Sequence, residues 1–171
     1  DGAIGAHAVK SLAKLAKKKK PFFLAVGFKK PHLPFVAPKQ YWDLFDPKSI
    51  QLASYQEAPL GAPTYASHNS SELRSYNGIP ASGPLDPSTQ RSLIHGYYAC
   101  VAYIDAQVGK ILDQLEEDGL AENTIIVLWG DHGWHLGDHG LWCKHTNYEQ
   151  ATRVPLIIAP PGARAQKTEM P

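Results

Sequence analysis

The sequence predicts an α/β protein in which a mostly parallel or mixed sheet is flanked by helices. Two observations support this prediction. A segment with helical periodicity is followed by a short apolar run over residues 3–28, and again over residues 87–129; this alternation is typical of α/β folds. The second apolar run ends at a dense group of Asp and His residues. Ligands bind at the carboxyl edge of the sheet in such folds, so we expect the functional site there.

Size and charge limit the classes of protein to which the chain can belong. With 171 residues, of which 43% are hydrophobic, it can form one domain around one core. Seventeen Lys and Arg residues against 16 Asp and Glu residues give a net charge of +1. No overall field therefore favours nucleic acid or an anionic membrane as a partner. No apolar run is long enough to span a membrane. Because the chain begins with Asp1, we expect it to be an internal fragment.

The spacing of apolar residues predicts the individual elements. Apolar residues that recur every three or four positions predict helices with one buried stripe at residues 3–20 and 87–120. A short helical piece is predicted at residues 40–45. Pro87 and Gly119 are typical start and stop signals of the last helix. Apolar runs predict buried strands at residues 22–28 and 124–129, and a last apolar run predicts a third strand at residues 154–159. Residues 46–86 have no periodicity and are rich in Pro, Ser, Gly and Tyr, which indicates a binding loop, a lid or an insertion.

The stretch from residue 124 to residue 144, TIIVLWGDHGWHLGDHGLWCK, carries the strongest chemical signal. The motif GDHG occurs twice, and four His and two Asp residues fall within fifteen positions. Such a group can bind a metal or exchange protons, because glycines allow the adjacent Asp131 and His132 to point at one site. A zinc peptidase is excluded: His135 and His139 have the spacing HxxxH, but Leu136 replaces the required glutamate and Gly137 breaks the helix.

Two further residue types are ambiguous on local sequence alone. His32 lies between Pro31 and Pro34, which present it on a stiff loop, but a lone loop histidine is usually a bystander. Cys100 and Cys143 are too few for a disulfide framework. Cys100 lies on or beside the apolar stripe of the long helix, where a thiol usually acts as a small buried hydrophobic group.

Three segments of the sequence carry a resemblance to a known family. They are PFFLAVGFKKPHLPF, HGYYACVAYIDAQVGKILDQL and NTIIVLWGDHGWHLGDHGLWCKHTNYEQATRVPLII. Together they resemble the iduronate-2-sulfatase-like branch of the sulfatase family. The resemblance implies an alkaline-phosphatase-like α/β fold, hydrolysis of sulfate esters, a formylglycine nucleophile and a bound Ca²⁺. A sulfated carbohydrate or a small sulfate ester is the implied substrate.

The resemblance also implies roles for individual residues. Asp131 and His132 resemble the second pair of Ca²⁺ ligands, and Asp131 supplies the hard oxygen that Ca²⁺ prefers. Lys144 resembles the lysine that binds the sulfate oxygens, and His32 resembles the histidine that assists the leaving oxygen. Three aromatic residues are expected to line the substrate pocket, although packing beneath the loop would account for their presence equally well. These are Trp134, His135 and Trp142.

The sequence also departs from the family pattern. The family's nucleophile motif, CxPSR or SxPSR, does not occur, and the aspartate pair that opens the metal site is missing. We therefore interpret residues 1–171 as the C-terminal portion of a catalytic domain, incomplete at both ends and inactive alone. The full-length protein would need a formylglycine-generating enzyme. By analogy with the family, a periplasmic or secreted location is expected, or a lysosomal one in an animal.

Two other classes of function stay open at this point. One is a phosphate or phosphonate ester hydrolase of the alkaline phosphatase superfamily, which uses a metal site of the same general kind. The other is a non-catalytic binding protein with a sulfatase-like fold that has lost its nucleophile. A CxPSR motif upstream of this segment would favour the enzyme.

Overall fold

Four α-helices precede the first strand along the described chain, so the predicted succession of helix and strand is found over residues 87–129 but not over residues 3–28. The computed structural model describes residues 1–162, so the last nine residues of the predicted domain lie outside the described part. The helices are α1 (Gly2–Lys17), α2 (Lys39–Trp42), α3 (Ser71–Arg74), α4 (Pro87–Glu117) and α5 (Glu149–Thr152). The strands are β1 (Ile126–Trp129), β2 (His135–Leu136), β3 (Trp142–Cys143) and β4 (Leu156–Ala159). Single 3₁₀ turns lie at Pro47–Ser49, Thr64–Ala66, Ala121–Asn123 and Asp138–Gly140.

The long helix α4 begins and ends where its terminal residues predict. At the start, Oδ1 of Asp86 accepts hydrogen bonds from the backbone N–H groups of Ser88 and Thr89 at 2.9 and 3.1 Å, which satisfies donors that a helix start leaves open. At the end, Gly119 has a φ of 68°, and the N–H of Leu120 donates to the backbone oxygen of Leu115 at 3.0 Å. This glycine cap confirms the predicted stop signal.

The chain divides into two compact units. In the described part of the chain, the first comprises residues 1–27, 107–129 and 155–162. In this unit β1 pairs with β4 in antiparallel register, from Ile126 opposite Ala159 to Trp129 opposite Leu156. An antiparallel pair is compatible with the mixed sheet that the sequence predicts. Helix α1 lies against α4, since a Cβ atom at Gly5 would be 3.0 Å from Oε1 of Gln107.

Two predictions about the strands of this region are wrong. Residues 22–28 form no strand, because within residues 1–162 no other segment pairs with them, and their side chains alternate between exposed and half-buried. The predicted burial of β1 on both faces also fails. Val127 and Trp129 are 47% and 64% exposed, because no layer covers one face of the two-stranded sheet in the described part of the chain. The remaining predicted strand, at residues 154–159, is confirmed as β4.

The second unit comprises residues 28–106 and 130–154. Its core contains buried side chains from segments that are distant in sequence. They are Leu33, Ile50, Leu73, Leu85, Ile94, Trp142 and Cys143. Three of these seven come from the aperiodic segment 46–86, so the segment is an integral part of this unit.

Close packing of the loop that follows β1 makes a specific prediction about Gly133. Its N–H donates to the backbone oxygen of Ala151 at 2.8 Å, and a Cβ atom here would lie 2.0 Å from the backbone oxygen of Gln150. Since backbone cannot move aside cheaply, Gly133→Ala is expected to lower the free energy of unfolding by at least about 2 kcal/mol. The midpoint of urea unfolding measures this.

Gly109→Ala is the matched control. Gly109 lies inside α4, and a Cβ atom there meets nothing within 4 Å. This variant is expected to gain about 0.5–1 kcal/mol of stability, because alanine is a better helix former than glycine. Equal unfolding midpoints for the two variants would contradict the steric argument.

Candidate active site

All of the predicted site residues lie in the second unit, and His32 is held there in a defined orientation. Nδ1 of its ring lies 2.8 Å from the backbone oxygen of Leu33. Because a carbonyl oxygen only accepts hydrogen bonds, Nδ1 carries a proton, and Nε2 is the atom available to other groups. The ammonium group of Lys30 donates to the backbone oxygens of His32 and Pro34 at 2.8 and 2.5 Å. These contacts brace the loop on which His32 lies.

Lys144 follows strand β3 and brings a positive charge to His32. The two residues are 112 positions apart in sequence, yet Nζ of Lys144 lies 2.8 Å from Nε2 of His32. The same Nζ lies 4.9 Å from the centroid of the Trp134 ring, which is within the range of cation–π attraction. Only 18% of the Lys144 side chain is exposed. The folded chain thus joins the two residues to which the family resemblance assigns sulfate chemistry.

A carboxylate that the sequence analysis missed completes this group. Glu72, on α3, places Oε1 and Oε2 at 2.8 and 2.9 Å from Nζ of Lys144. Its Oε1 is also 2.9 Å from Nε2 of His32. No pattern in the aperiodic segment 46–86 singles this residue out, because its partners His32 and Lys144 lie far away in sequence. We call His32, Glu72 and Lys144 the charged triad.

The charges of the triad depend on one another. Partial burial favours the neutral form of Glu72 and by itself would raise the pKa of its carboxyl group. The hydrogen bond from Lys144 and the positive charges of Lys144, His32 and His145 outweigh this effect, so the pKa lies below its usual value. Glu72 is therefore ionised near neutral pH. Its side chain is 22% exposed and that of His32 is 33% exposed, so water screens the triad less than it screens a surface ion pair.

Asp131 and His132 follow strand β1 and lie side by side. Oδ2 of Asp131 is 3.7 Å from Nε2 of His132, and Nδ1 of His132 lies 2.8 Å from the backbone oxygen of Gly133. That carbonyl fixes the proton on Nδ1, which leaves the lone pair of Nε2 available to a cation. The Asp131 side chain is 87% exposed. Both residues line a cavity of about 230 Å³ that His32 and Trp134 also line.

This pair fits part of a cation site. Among residues 1–162 no group of three or more His, Cys, Asp or Glu side chains is arranged to hold a metal. Ca²⁺ takes about six to eight ligands, mostly oxygen atoms. Asp131 and His132 can therefore supply at most a minority of a calcium shell.

The three predicted substrate-pocket residues occupy different environments. Trp134 makes edge contacts with His32, at 5.5 Å between ring centroids, and with Phe35, at 6.2 Å. His135 is 0% exposed and Trp142 is 4% exposed, which favours the packing interpretation for both. Nε2 of His135 lies 2.7 Å from Oγ1 of Thr146, and burial lowers the pKa of this imidazole. Trp134 is thus the one of the three that lies beside the charged triad.

A larger cavity opens beside Lys144. Its volume is about 540 Å³. It is lined by Tyr65, Ala66, Lys144, His145, Thr146, Asn147 and Tyr148. The lining combines aromatic faces with hydroxyl, amide and imidazole groups, which suits a polar ligand with several hydrogen-bonding groups.

Neither cysteine has the environment of a nucleophile. Burial raises the pKa of Cys100 to about 11 and that of Cys143, which also lies near the charge of Glu72, to about 12. Because the thiolate is the reactive form, both thiols are inert near neutral pH. Both are buried and free, as expected of cysteines that act as small hydrophobic groups.

The sequence model of the Sulfatase family matches residues 1–171. The chain belongs to the sulfatase family. It is 40% identical over 169 residues to iduronate 2-sulfatase from Homo sapiens, a match that covers 95% of this chain and 31% of the human protein. This confirms the predicted branch of the family. The chain spans about a third of the length of the curated relatives that it matches.

Solved structures confirm the predicted fold. A protein solved in complex with its substrate D-glucosamine-2-N,6-O-disulfate superposes with a TM-score of 0.70 at 20% identity, covering 94% of this chain and 43% of that protein. A phosphonate monoester hydrolase from Silicibacter pomeroyi superposes with a TM-score of 0.64 at 29% identity, covering 90% of this chain and 33% of that protein. The chain thus has part of the alkaline-phosphatase-like α/β fold of sulfatases. No helix among residues 1–162 is long and apolar enough to cross a membrane.

The raised thiol pKa values predict that Cys100 and Cys143 resist modification in the folded protein. At pH 8, Ellman's reagent is expected to label neither thiol before unfolding and both thiols in urea, because burial suppresses the thiolate and blocks access. Mass spectrometry of peptides identifies the labelled positions. Rapid labelling of either cysteine in the folded protein would contradict the assigned environment.

Proposed function

We propose that the protein containing this chain is a sulfuric ester hydrolase that removes sulfate from a sulfated carbohydrate. In this proposal, residues 1–171 form the C-terminal portion of its catalytic domain. The observation that carries it is the approach of Lys144 Nζ to His32 Nε2 at 2.8 Å, beside a cavity large enough for a sugar. The 40% identity to an iduronate 2-sulfatase supports a carbohydrate sulfate as the substrate.

Lys144 and His32 have separate roles in this reaction. As the S–O bond breaks, negative charge develops on the sulfuryl oxygens and on the departing alcohol oxygen. The ammonium group of Lys144 binds the sulfuryl oxygens, where a fixed positive charge lowers the barrier. His32, with its Nδ1 proton held by Leu33, uses Nε2 to deliver a proton to the leaving oxygen.

The proposal includes a bound Ca²⁺ and a formylglycine from outside this chain. When bound, these groups would supply a Lewis acid for the sulfuryl oxygens and the nucleophile that attacks sulfur. Asp131 and His132 would hold one side of the ion through Oδ2 and Nε2, which lie 3.7 Å apart. A formylglycine-generating enzyme is then a required partner.

The large cavity beside Lys144 is the proposed site for the carbohydrate. Tyr65 and Tyr148 offer faces for sugar rings, while His145 and Asn147 offer hydrogen bonds to hydroxyl groups. Trp134, beside Lys144, lies closer to the sulfate end. Because His135 and Trp142 are buried, we propose that they support this pocket from behind by packing.

The proposed alternative is a phosphate or phosphonate ester hydrolase, and the fold alone does not separate it from a sulfatase. The similarity to a phosphonate monoester hydrolase is 29% in identity, whereas that to the human iduronate 2-sulfatase is 40%, and this favours the sulfate ester. A non-catalytic binding protein is less favoured, because Lys144 and His32 are both in place.

The expected lack of nucleic-acid partners and the periplasmic, secreted or lysosomal location stay predictions.

Sulfate release by the full-length protein tests the proposed function. The protein is expressed with a formylglycine-generating enzyme and assayed on sulfated glycosaminoglycan disaccharides, on 4-nitrocatechol sulfate and on a phosphonate monoester. Release of sulfate that falls when Ca²⁺ is chelated supports a sulfatase. Turnover of the phosphonate alone would transfer the assignment to the alternative, and inactivity with a confirmed aldehyde would favour a binding protein.

Lys144→Ala is expected to lower kcat by a factor of about 10² to 10³, because it removes a positive charge aimed at the sulfuryl oxygens. Steady-state sulfate release measures this change. Lys39→Ala is the matched control, since it removes a lysine whose side chain is 85% exposed and paired with Asp43 in the same unit. Unchanged turnover in Lys144→Ala would contradict the role given to Lys144.

The role of His32 predicts that the loss of activity on replacing this residue depends on the leaving group of the substrate. His32→Gln is expected to lower kcat by a factor of about 10² to 10⁴ for an alkyl sulfate on a sugar, because an alkoxide is a poor leaving group without a proton. The loss is expected to be much smaller for 4-nitrocatechol sulfate, whose phenolate leaves readily. His7→Gln, at an exposed position on α1, is the control. Equal losses on both substrates would exclude proton donation by His32.

A further inference from the structure

Glu72 occupies the hydrogen-bonding capacity of Lys144. An ammonium group carries three N–H donors. The three acceptors nearest to Nζ of Lys144 are Oε1 and Oε2 of Glu72, at 2.8 and 2.9 Å, and Nε2 of His32, at 2.8 Å. When His32 is neutral with its proton on Nδ1, one donor is therefore engaged by each. An oxyanion from outside can gain a hydrogen bond from Lys144 only if one of these contacts is given up.

Glu72 also offsets the positive charge of the pair. Within residues 1–162 it is the one carboxylate whose oxygens lie within 4 Å of either Lys144 Nζ or the His32 ring. Nδ1 of His145 lies 3.8 Å from Oε2 of the same carboxylate. When His32 is protonated, two cations lie 2.8 Å apart, and their repulsion is relieved by the carboxylate between them.

The segment that carries Glu72 is fixed to the strand that leads to Lys144. Ser70, just before α3, is 2% exposed, and its Oγ accepts a hydrogen bond from the backbone N–H of Trp142 at 3.1 Å. Leu73, just after Glu72, is 3% exposed in the core. The guanidinium group of Arg74 donates to the backbone oxygens of three loop residues. The position of the carboxylate is thus determined by packing on both of its sides.

We propose that Glu72 is a positioning residue that holds the Lys144 ammonium group and the His32 ring together, and that it is the internal anion which the sulfuryl group must replace at Lys144. This inference rests on the proposed function. The substrate's oxyanion takes over hydrogen bonds that the carboxylate holds in the empty site. The site thereby keeps its cations ordered before the substrate binds, at the expense of affinity for anions.

The test is the binding of inorganic sulfate to the full-length protein, measured by isothermal titration calorimetry. Glu72→Gln keeps the shape of the side chain and removes its charge, so sulfate is expected to bind about tenfold more tightly than in the unaltered protein. Glu72→Asp withdraws the carboxylate by one methylene group and is expected to give a smaller increase. Glu57→Gln, which removes a charge from an exposed position in the same unit, is expected to leave the affinity unchanged.

A gain of affinity separates this role from a structural one, since a merely damaged site binds sulfate more weakly. Where turnover is measurable, kcat is expected to fall in Glu72→Gln although sulfate binds more tightly. Equal or weaker sulfate binding in folded Glu72→Gln overturns the inference. If that variant does not fold, equal binding by Glu72→Asp and the unaltered protein overturns it. Calorimetry needs no turnover, so tighter binding without any sulfate ester hydrolysis, in protein whose formylglycine is confirmed, would refute the proposed function and still uphold the competition of Glu72 with an anion for Lys144.

Discussion

The contact among Lys144, Glu72 and His32 is the interaction on which the site depends. Removing two basic groups from water is unfavourable unless an anion accompanies them, and the single carboxylate of Glu72 serves both. The aperiodic segment that carries Glu72 is held in the second unit by its own apolar side chains, Ile50, Leu73 and Leu85, which lie in the core. The segment delivers a carboxylate that neither the His32 loop nor strand β3 contains.

Unusual backbone conformations bring the three side chains together. Ser70 and Cys143 have φ values of 54° and 69°, a region that costs free energy for residues other than glycine. Each lies one or two positions from a member of the triad, and both side chains are almost fully buried. Tertiary packing therefore holds the backbone in conformations that the local sequence does not favour.

Periodicity and capping residues predicted the elements whose stability is local, as the start and stop of α4 show. Residues 22–28 show the limit of that reasoning, because a strand exists only with a partner and its partner is not encoded in its own sequence. The same limit applies to the site. His32 and Lys144 could be singled out through family motifs, whereas Glu72 lies in a segment without one. Trp134, His135 and Trp142 share one short stretch, and only tertiary packing distinguishes the half-buried Trp134 from the buried His135 and Trp142.

The uncovered face of the β1 and β4 pair affects how the chain behaves in solution. Leu156 and Ile158 are each at least half exposed, and they lie directly opposite the exposed Trp129 and Val127. Within residues 1–162 each of these strands pairs only with the other, so each has an outer edge that can template pairing with another chain. Preparations of the chain by itself will thus tend to self-associate, the more so in sulfate or phosphate salts that strengthen apolar contacts. The solubility of a segment, rather than its catalytic residues, then decides where the protein can usefully be divided for laboratory work.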